Sequence, residues 1–282
     1  MSGLDRRLHA YRPDLADARL RDRVEAREYR DGREAMVAVP AADLRSAPNP
    51  EVGLDTQLLY GERVLRYDDD GAFSWVQSLR DGYVGYVASS ELSKPGLRPT
   101  HRVCVPATFV YRTDDMKSPR RTVLSLGTEV AVTGTSERRG TAYAELEALG
   151  HVAAQHLWPI HKAADDFVAI AELLEHRPYL WGGAGSFGID CSGLVQLSLR
   201  MAGISVLRDT DLQQGSIGSE IGEGDLRRGD LVFWKGHVAI MLDEATIIHA
   251  NGHTMSVARE RYRDAVERIA YLYSRPVAFR RL

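Results

Sequence analysis

Along residues 34–92 apolar and polar positions alternate in short runs, Met36-Val-Ala-Val39, Gln57-Leu-Leu-Tyr60, Arg63-Val-Leu-Arg66 and Phe73-Ser-Trp-Val-Gln77, separated by the turn signals Asp70-Gly71 and Asp81-Gly82. Short strands at this spacing predict a small all-β barrel over residues 31–95. A second set of β-prone runs, Val103-Cys-Val105, Thr108-Phe-Val-Tyr111, Thr122-Val-Leu124, Glu129-Val-Ala-Val-Thr133 and Tyr143-Ala-Glu-Leu146, predicts another over residues 96–160. Lys94-Pro95-Gly96 and Arg98-Pro99 read as the linker between them. Ahead of both, residues 1–30 are rich in Arg, Asp, Ala and Glu, with Leu15, Leu20 and Val24 the regular apolar positions, and predict a thin helical arm. After Trp158-Pro159 the period changes: Phe167, Ile170, Ala171 and Leu174 follow i, i+3, i+4, i+7. A second helix, apolar on most sides, is expected from Cys191 to Ala202, with Gly203 closing it. Asp230–Trp234, Val238–Leu242 and Thr246–His249 read as antiparallel strands, so residues 161–282 form an α+β domain.

Composition is that of a folded multidomain protein, with 282 residues, 44% hydrophobic and 27% charged. The 36 basic and 39 acidic residues leave a net charge of −3, so no global field recruits a nucleic acid or an anionic membrane. No apolar run approaches the ~18 residues of a bilayer span, and the charged start Met1-Ser-Gly-Leu-Asp-Arg-Arg lacks a signal-peptide pattern. A cytoplasmic protein is expected. The two cysteines, Cys104 and Cys191, have neither disulfide-framework nor CxxC spacing.

Cys191 opens a helix after a glycine-rich loop, in Asp190-Cys-Ser-Gly193. The helix N-terminus favours thiolate, so a lowered thiol pKa is expected there. His237 starts one strand and His249 closes the next. If Asp243-Glu-Ala245 is a three-residue hairpin loop, paired residue numbers sum to 488, His249 falls opposite Ala239, and His237 becomes its diagonal neighbour on the same face. One imidazole then takes the thiol proton while the other orients it. Singly, each has a plainer reading, as a small buried hydrophobe or a satisfied structural histidine.

Five ordered elements, Pro178-Tyr-Leu-Trp-Gly-Gly183, Asp190-Cys-Ser-Gly-Leu-Val195, Leu226-Arg-Arg-Gly-Asp-Leu-Val-Phe-Trp234, Gly236-His-Val-Ala-Ile240 and His249-Ala, resemble the NlpC family of papain-like cysteine peptidases of bacterial cell-wall metabolism. The resemblance implies that Cys191 is the nucleophile, His237 the base and His249 the orienting residue. Glu51–Glu62, Trp75-Val-Gln77 and Asp81–Val87 resemble the first bacterial SH3-like domain of the γ-D-glutamyl-L-diamino-acid endopeptidase branch, which is similar to dipeptidyl-peptidase VI. That branch implies two SH3-like barrels before a papain-like domain. It also implies hydrolysis between D-Glu and diaminopimelate or Lys in muropeptides bearing a free N-terminal L-Ala, within murein peptide recycling. Substrate contacts carried over are Glu51 and Tyr86 from the first barrel and Asp190, Ser192 and Tyr179 from the catalytic domain. Tyr179 or the Cys191 backbone N–H is expected at the oxyanion. Bland readings stand beside these: Asp190 as a helix cap, Glu51 as a solvated charge, Tyr86 as a core aromatic. Gly236 stands where some branch members carry a second histidine before the base.

His151, His156 and His161 repeat every five residues and share no face, so no metal is expected. Gly182-Gly-Ala-Gly185 lacks a P-loop's Lys-Ser/Thr, so no cofactor is expected. Cys104, between valines, reads as core. An acyltransferase or amidase on the same scaffold, or a non-catalytic peptidoglycan-binding protein, are the alternatives the same residues allow.

Overall fold

The computed structural model describes residues 3–282. The chain divides into two compact units, one ending at Ile160 and the other spanning His161–Leu282.

The first unit is sheet-rich. A seven-stranded sheet orders Leu54–Leu59, Ala41–Arg45, Val84–Ala88, Phe73–Ser78, Arg63–Asp69, Arg33–Val37 and Leu92–Ser93. It wraps a core of Val37, Leu44, Leu58, Val64, Val76 and Val87. The expected turns lie where the sequence puts them: Gly71 (φ 92°) and Gly82 (φ 79°) take the left-handed conformation that glycine reaches without steric cost. Residues 101–159 form a five-stranded sheet, ordered Arg120–Ser125, Ala107–Tyr111, Gly150–Ala153, Thr141–Leu146 and Val132–Arg138, and a three-stranded one, around Val103, Val110, Leu124, Val130 and Val152. Cys104 is half-buried rather than core: the strand His101–Val103 ends before it, and its Sγ lies 3.8 Å from the Gln155 carbonyl oxygen.

The N-terminal segment departs from the expected helix. Leu15–Asp17 pairs in parallel with Glu28–Arg30, joined through the 3-10 turn Ala18–Leu20. All three residues of Leu15–Asp17 are buried, a run no single helix face supports. Pro13 further breaks any helix through this stretch. The segment is no loose appendage, because Ala10 and Leu15 pack with Tyr67 and Trp75, and the Tyr67 hydroxyl donates to buried Asp17 at 2.6 Å.

In the second unit an antiparallel sheet orders Ser219–Glu220, Ala278–Arg281, Leu231–Trp234, His237–Met241, Thr246–Asn251 and Ser256–Arg261. Helix α1 (Phe167–Leu173) is capped by Asp166, and α2 (Cys191–Met201) by Asp190. Helix α3 is Thr210–Ser216, and α4 is Tyr262–Leu272. One face of the sheet, carrying Val232, Trp234, Ala239, Met241 and Ile247, buries against Tyr262, Ala265, Val266 and Ile269 of α4. Helix α2 packs on His237–Met241 and Thr246–Asn251. Its residues Leu194, Val195, Leu197, Leu199 and Met201 are all at most 3% exposed, as their apolar run requires. None of the described residues forms a helix long and apolar enough to cross a membrane.

Candidate active site

Asp190 accepts the Gly193 N–H at 2.7 Å, closing the first turn of α2 and fixing Cys191 at its start. The helix enters against the glycine-rich loop so closely that a Cβ on Gly193 would lie 2.4 Å from the Gly183 carbonyl oxygen. No larger residue fits the third place after the cap. Cys191 is 7% exposed, and its Sγ accepts the backbone N–H of Val238, the residue after His237, and lies 3.9 Å from Thr210 Oγ1. The nucleophile candidate and the start of the His237 strand are thus in direct contact.

The two histidines meet as the hairpin register requires. Ile240 pairs with Ile248 and Met241 with Ile247, the register that puts His249 in line with Ala239. His237 Nε2 and His249 Nδ1 are 2.9 Å apart, leaving His237 Nδ1 outside that contact. His249 is 1% exposed. Gly236 precedes the base in a tight turn at φ 76°, where any side chain would be strained; this is the physical reason for glycine there.

The electrostatics correct one expectation. Burial, and then the Asp190 carboxylate, push the Cys191 thiol up to about 11, outweighing the donors at Val238, Thr210 and Arg208. Burial, then His249 and Arg268, push His237 down to about 3. Both shifts favour the neutral form of the group they act on. A histidine whose folded pKa lies below its unfolded value contributes stability that is present above about 6.5 and lost as pH falls toward 3. Protection factors of the Leu231–Trp234 amides, taken relative to the intrinsic exchange rate at each pH, should therefore fall across that window, and His237→Phe should flatten the response.

Asp190 and Ser192 are engaged by the protein rather than aimed outward. The Asp190 oxygens take Gly182 N–H (2.9 Å), Gly193 N–H (2.7 Å), Arg208 Nη2 (2.8 Å) and the Ser192 hydroxyl (3.4 Å). Four donors fill a carboxylate's lone pairs. Ser192 Oγ in turn accepts Arg208 Nη1 at 2.8 Å. Asp190 thus caps α2 and anchors Arg208. Tyr179 is half-buried, and burial, then the ionisable Cys191 and Asp190 groups, raise its phenol well above the ordinary value. Glu51 is an exposed loop residue of the first unit. Tyr86, in Val84–Ala88, accepts Arg12 Nη1 at 3.0 Å and borders an open cavity of about 380 Å³ with Arg12, Trp75 and Asp55.

Sequence reasoning missed Arg208, Thr210, Glu260 and Arg268. Arg208 is 1% exposed, held by Asp190, Ser192 and the Gly183 carbonyl oxygen at 3.1 Å. Among the described residues no group of three or more His, Cys, Asp or Glu side chains is arranged to hold a metal.

Residues 176–272 match the model of the NlpC/P60 family, and residues 44–92 that of the bacterial dipeptidyl-peptidase Sh3 domain. The chain is 26% identical over 186 residues to dipeptidyl-peptidase 6 of Lysinibacillus sphaericus, covering 66% of this chain and 65% of that one. It is 28% identical over 222 residues to the gamma-D-glutamyl-L-lysine dipeptidyl-peptidase of Bacillus subtilis strain 168, covering 70% and 72%. The crystal structure of an NlpC/P60 family protein from Bacillus cereus matches 88% of this chain and 99% of that one at a TM-score of 0.73 and 22% identity, which shows a shared fold. The probable endopeptidase NlpC of Escherichia coli K12 is 35% identical over 107 residues, 33% of this chain and 69% of that one. A catalytic unit of that descent, with a bacterial SH3 domain before it and a cysteine at the N-terminus of its buried helix, means that the chain belongs to the NlpC/P60 family of cysteine peptidases.

Proposed function

We propose that the chain is a cysteine endopeptidase that hydrolyses the γ-D-glutamyl–diamino acid bond of cell-wall-derived peptides carrying a free N-terminal L-Ala, during murein peptide recycling in the cytosol. The observation that carries this reading is the contact of Cys191 with the first residues of the His237 strand, together with the 2.9 Å His237–His249 contact. The relatives named for gamma-D-glutamyl-L-lysine cleavage and the SH3 match support the choice of bond and the free-amine requirement.

His237 Nδ1 takes the thiol proton as Sγ attacks the γ-carbonyl carbon, so charge separation develops only during the reaction. Tyr179 and the N-terminus of α2 are the donors available to the oxyanion. The C–N bond then breaks, the leaving amine of the diamino acid takes the proton from His237, and a thioester remains on Cys191. Water, deprotonated by His237, releases L-Ala-D-Glu. The substrate contacts expected in this unit are Asp190, Ser192 and Tyr179, with Asp190 supplying the anion for the free amine. The diamino acid selected follows from peptides differing only there.

Free L-Ala-γ-D-Glu-meso-diaminopimelate, its lysine counterpart and N-acylated copies of both test the reading by mass spectrometry. Free peptides should be cut, and acylation should slow cleavage roughly 100-fold, since a site built around a charged donor rejects its blocked analogue. Equal cleavage of free and acylated peptides would remove the amine requirement. Cleavage of neither, with transfer to an added amine, would move the chain to the acyltransferase class.

A further inference from the structure

Behind the histidine pair lies a carboxylate that the proposed chemistry does not yet use. Glu260 stands on Ser256–Arg261, where His249 pairs with Ala258 and Ile247 with Glu260. Two positions along from Ala258, it shares a sheet face with His249 and is its diagonal neighbour. Glu260 Oε2 lies 3.2 Å from the buried His249 Nε2, within ion-pair distance but out of line for a hydrogen bond. Arg268, on α4, grips the same carboxylate side-on, Nε to Oε1 at 3.0 Å and Nη2 to Oε2 at 2.6 Å. His249 is thus held between His237 on its Nδ1 side and a carboxylate on its Nε2 side.

This order has one consistent set of protons. A carboxylate only accepts, so one standing 3.2 Å from Nε2 favours the neutral His249 ring with its proton on Nε2, leaving Nδ1 as an acceptor. His237 must then donate through Nε2, which leaves its Nδ1 lone pair open. We propose that Glu260, locked by Arg268, is a positioning residue that sets the tautomers of both histidines and so makes His237 Nδ1 the base toward Cys191. The proposal rests on Cys191 and His237 being the reacting pair. No proton passes beyond His237: the thiol proton stops at Nδ1, and the ring's new charge is met by the His249 Nδ1 acceptor, with Glu260 behind it. Against burial, His249 and Arg268 hold Glu260 down to about 2, so it remains an acceptor across the neutral range.

Removing the carboxylate together with the guanidinium that grips it, in the double variant Glu260→Leu, Arg268→Met, tests this without orphaning either charge. Nothing then faces His249 Nε2 to keep a proton there, so the rings are released to the opposite order, with His249 donating through Nδ1 and His237 carrying its proton on Nδ1, where the base is lost. We expect kcat to fall about 10-fold with KM within about twofold, the low end of the loss seen when the partner behind a metal-bound histidine is removed. Arg268→Met alone leaves the acceptor in place and should keep most of kcat, whereas a merely structural role of the ion pair would make it cost as much as the double variant. Side-chain ¹⁵N shifts in histidine-labelled full-length protein give the second readout: Nε2–H on both rings in the native protein and in Arg268→Met, and Nδ1–H gaining in the double variant. Native tautomers and native kcat in the double variant, or an Arg268→Met as slow as the double, would overturn the proposal. Should the double variant not fold, Nδ1–H on either ring of the native protein overturns it equally. Because the nitrogen shifts need no substrate, they stand even if neither muropeptide is cleaved, which separates failure of this inference from failure of the substrate assignment.

Discussion

Cys191→Ala reduces kcat by about 10⁴–10⁶-fold, as removal of a nucleophile does, while leaving muropeptide affinity measurable by calorimetry. His237→Gln is the more informative partner. With burial and the Asp190 carboxylate pushing the thiol up to about 11, the thiolate is a minor form at pH 7, and the reaction calls on the imidazole to take the proton within the step. Once the base is gone, the residual rate should climb about tenfold per pH unit toward pH 11, following the thiolate fraction. Iodoacetamide labelling of Cys191 in that variant should rise along the same line. A flat profile would mean that the thiolate is preformed and that the helix N-terminus outweighs burial. Native activity in Cys191→Ala would remove the cysteine from the mechanism altogether.

Asp190→Asn destabilises the catalytic unit by about 3–5 kcal/mol, because it removes the carboxylate charge paired with the guanidinium of Arg208, which is 1% exposed. The same substitution weakens the cap on α2. Arg208→Met should cost a similar amount, and the Asp190→Asn, Arg208→Met pair should lose less than the two single losses together, since replacing a buried pair is cheaper than orphaning one charge. Denaturant unfolding of the full chain measures all three. The Asn variant carries a second signature: the Asp190 carboxylate is one of the causes of the high thiol pKa, so Cys191 should become easier to alkylate even as its domain becomes easier to unfold. A carboxylate without a buried partner would show neither effect.

The pair of histidines was legible because strands repeat every two residues. A three-residue loop and a pair sum were enough to put His237 and His249 on one face, and the observed Ile240–Ile248 and Met241–Ile247 pairs follow that sum. Cys191 was legible from a cap, a glycine-rich loop and an apolar helix. Its protonation was not, because the helix dipole is visible in sequence while the depth of burial and the closeness of Asp190 belong to the fold. Arg208 sits in a polar stretch with no periodicity, and a fully buried arginine runs against the ordinary distribution of that residue. Glu260 and Arg268 lie beyond the last strand that the hydrophobic pattern announces, and only their register with His249 gives them meaning. The N-terminal segment did carry a signal that was overlooked. Its pair Glu28–Arg30 is two residues apart, the spacing of neighbours on an extended chain and not on a helix.

Those first thirty residues act as a wall of the barrel behind them. Leu15 covers Trp75, and Asp17 receives the Tyr67 hydroxyl in a buried contact. Trimming the chain to the start of the sheet at Arg33, a natural choice for anyone isolating the SH3-like module, would uncover two aromatic rings and leave the Tyr67 phenol only the longer 3.2 Å contact to Gln77 Oε1. A sticky, poorly behaved fragment would then report on the cut rather than on the module, so the smallest sound piece of this unit begins upstream of Ala10.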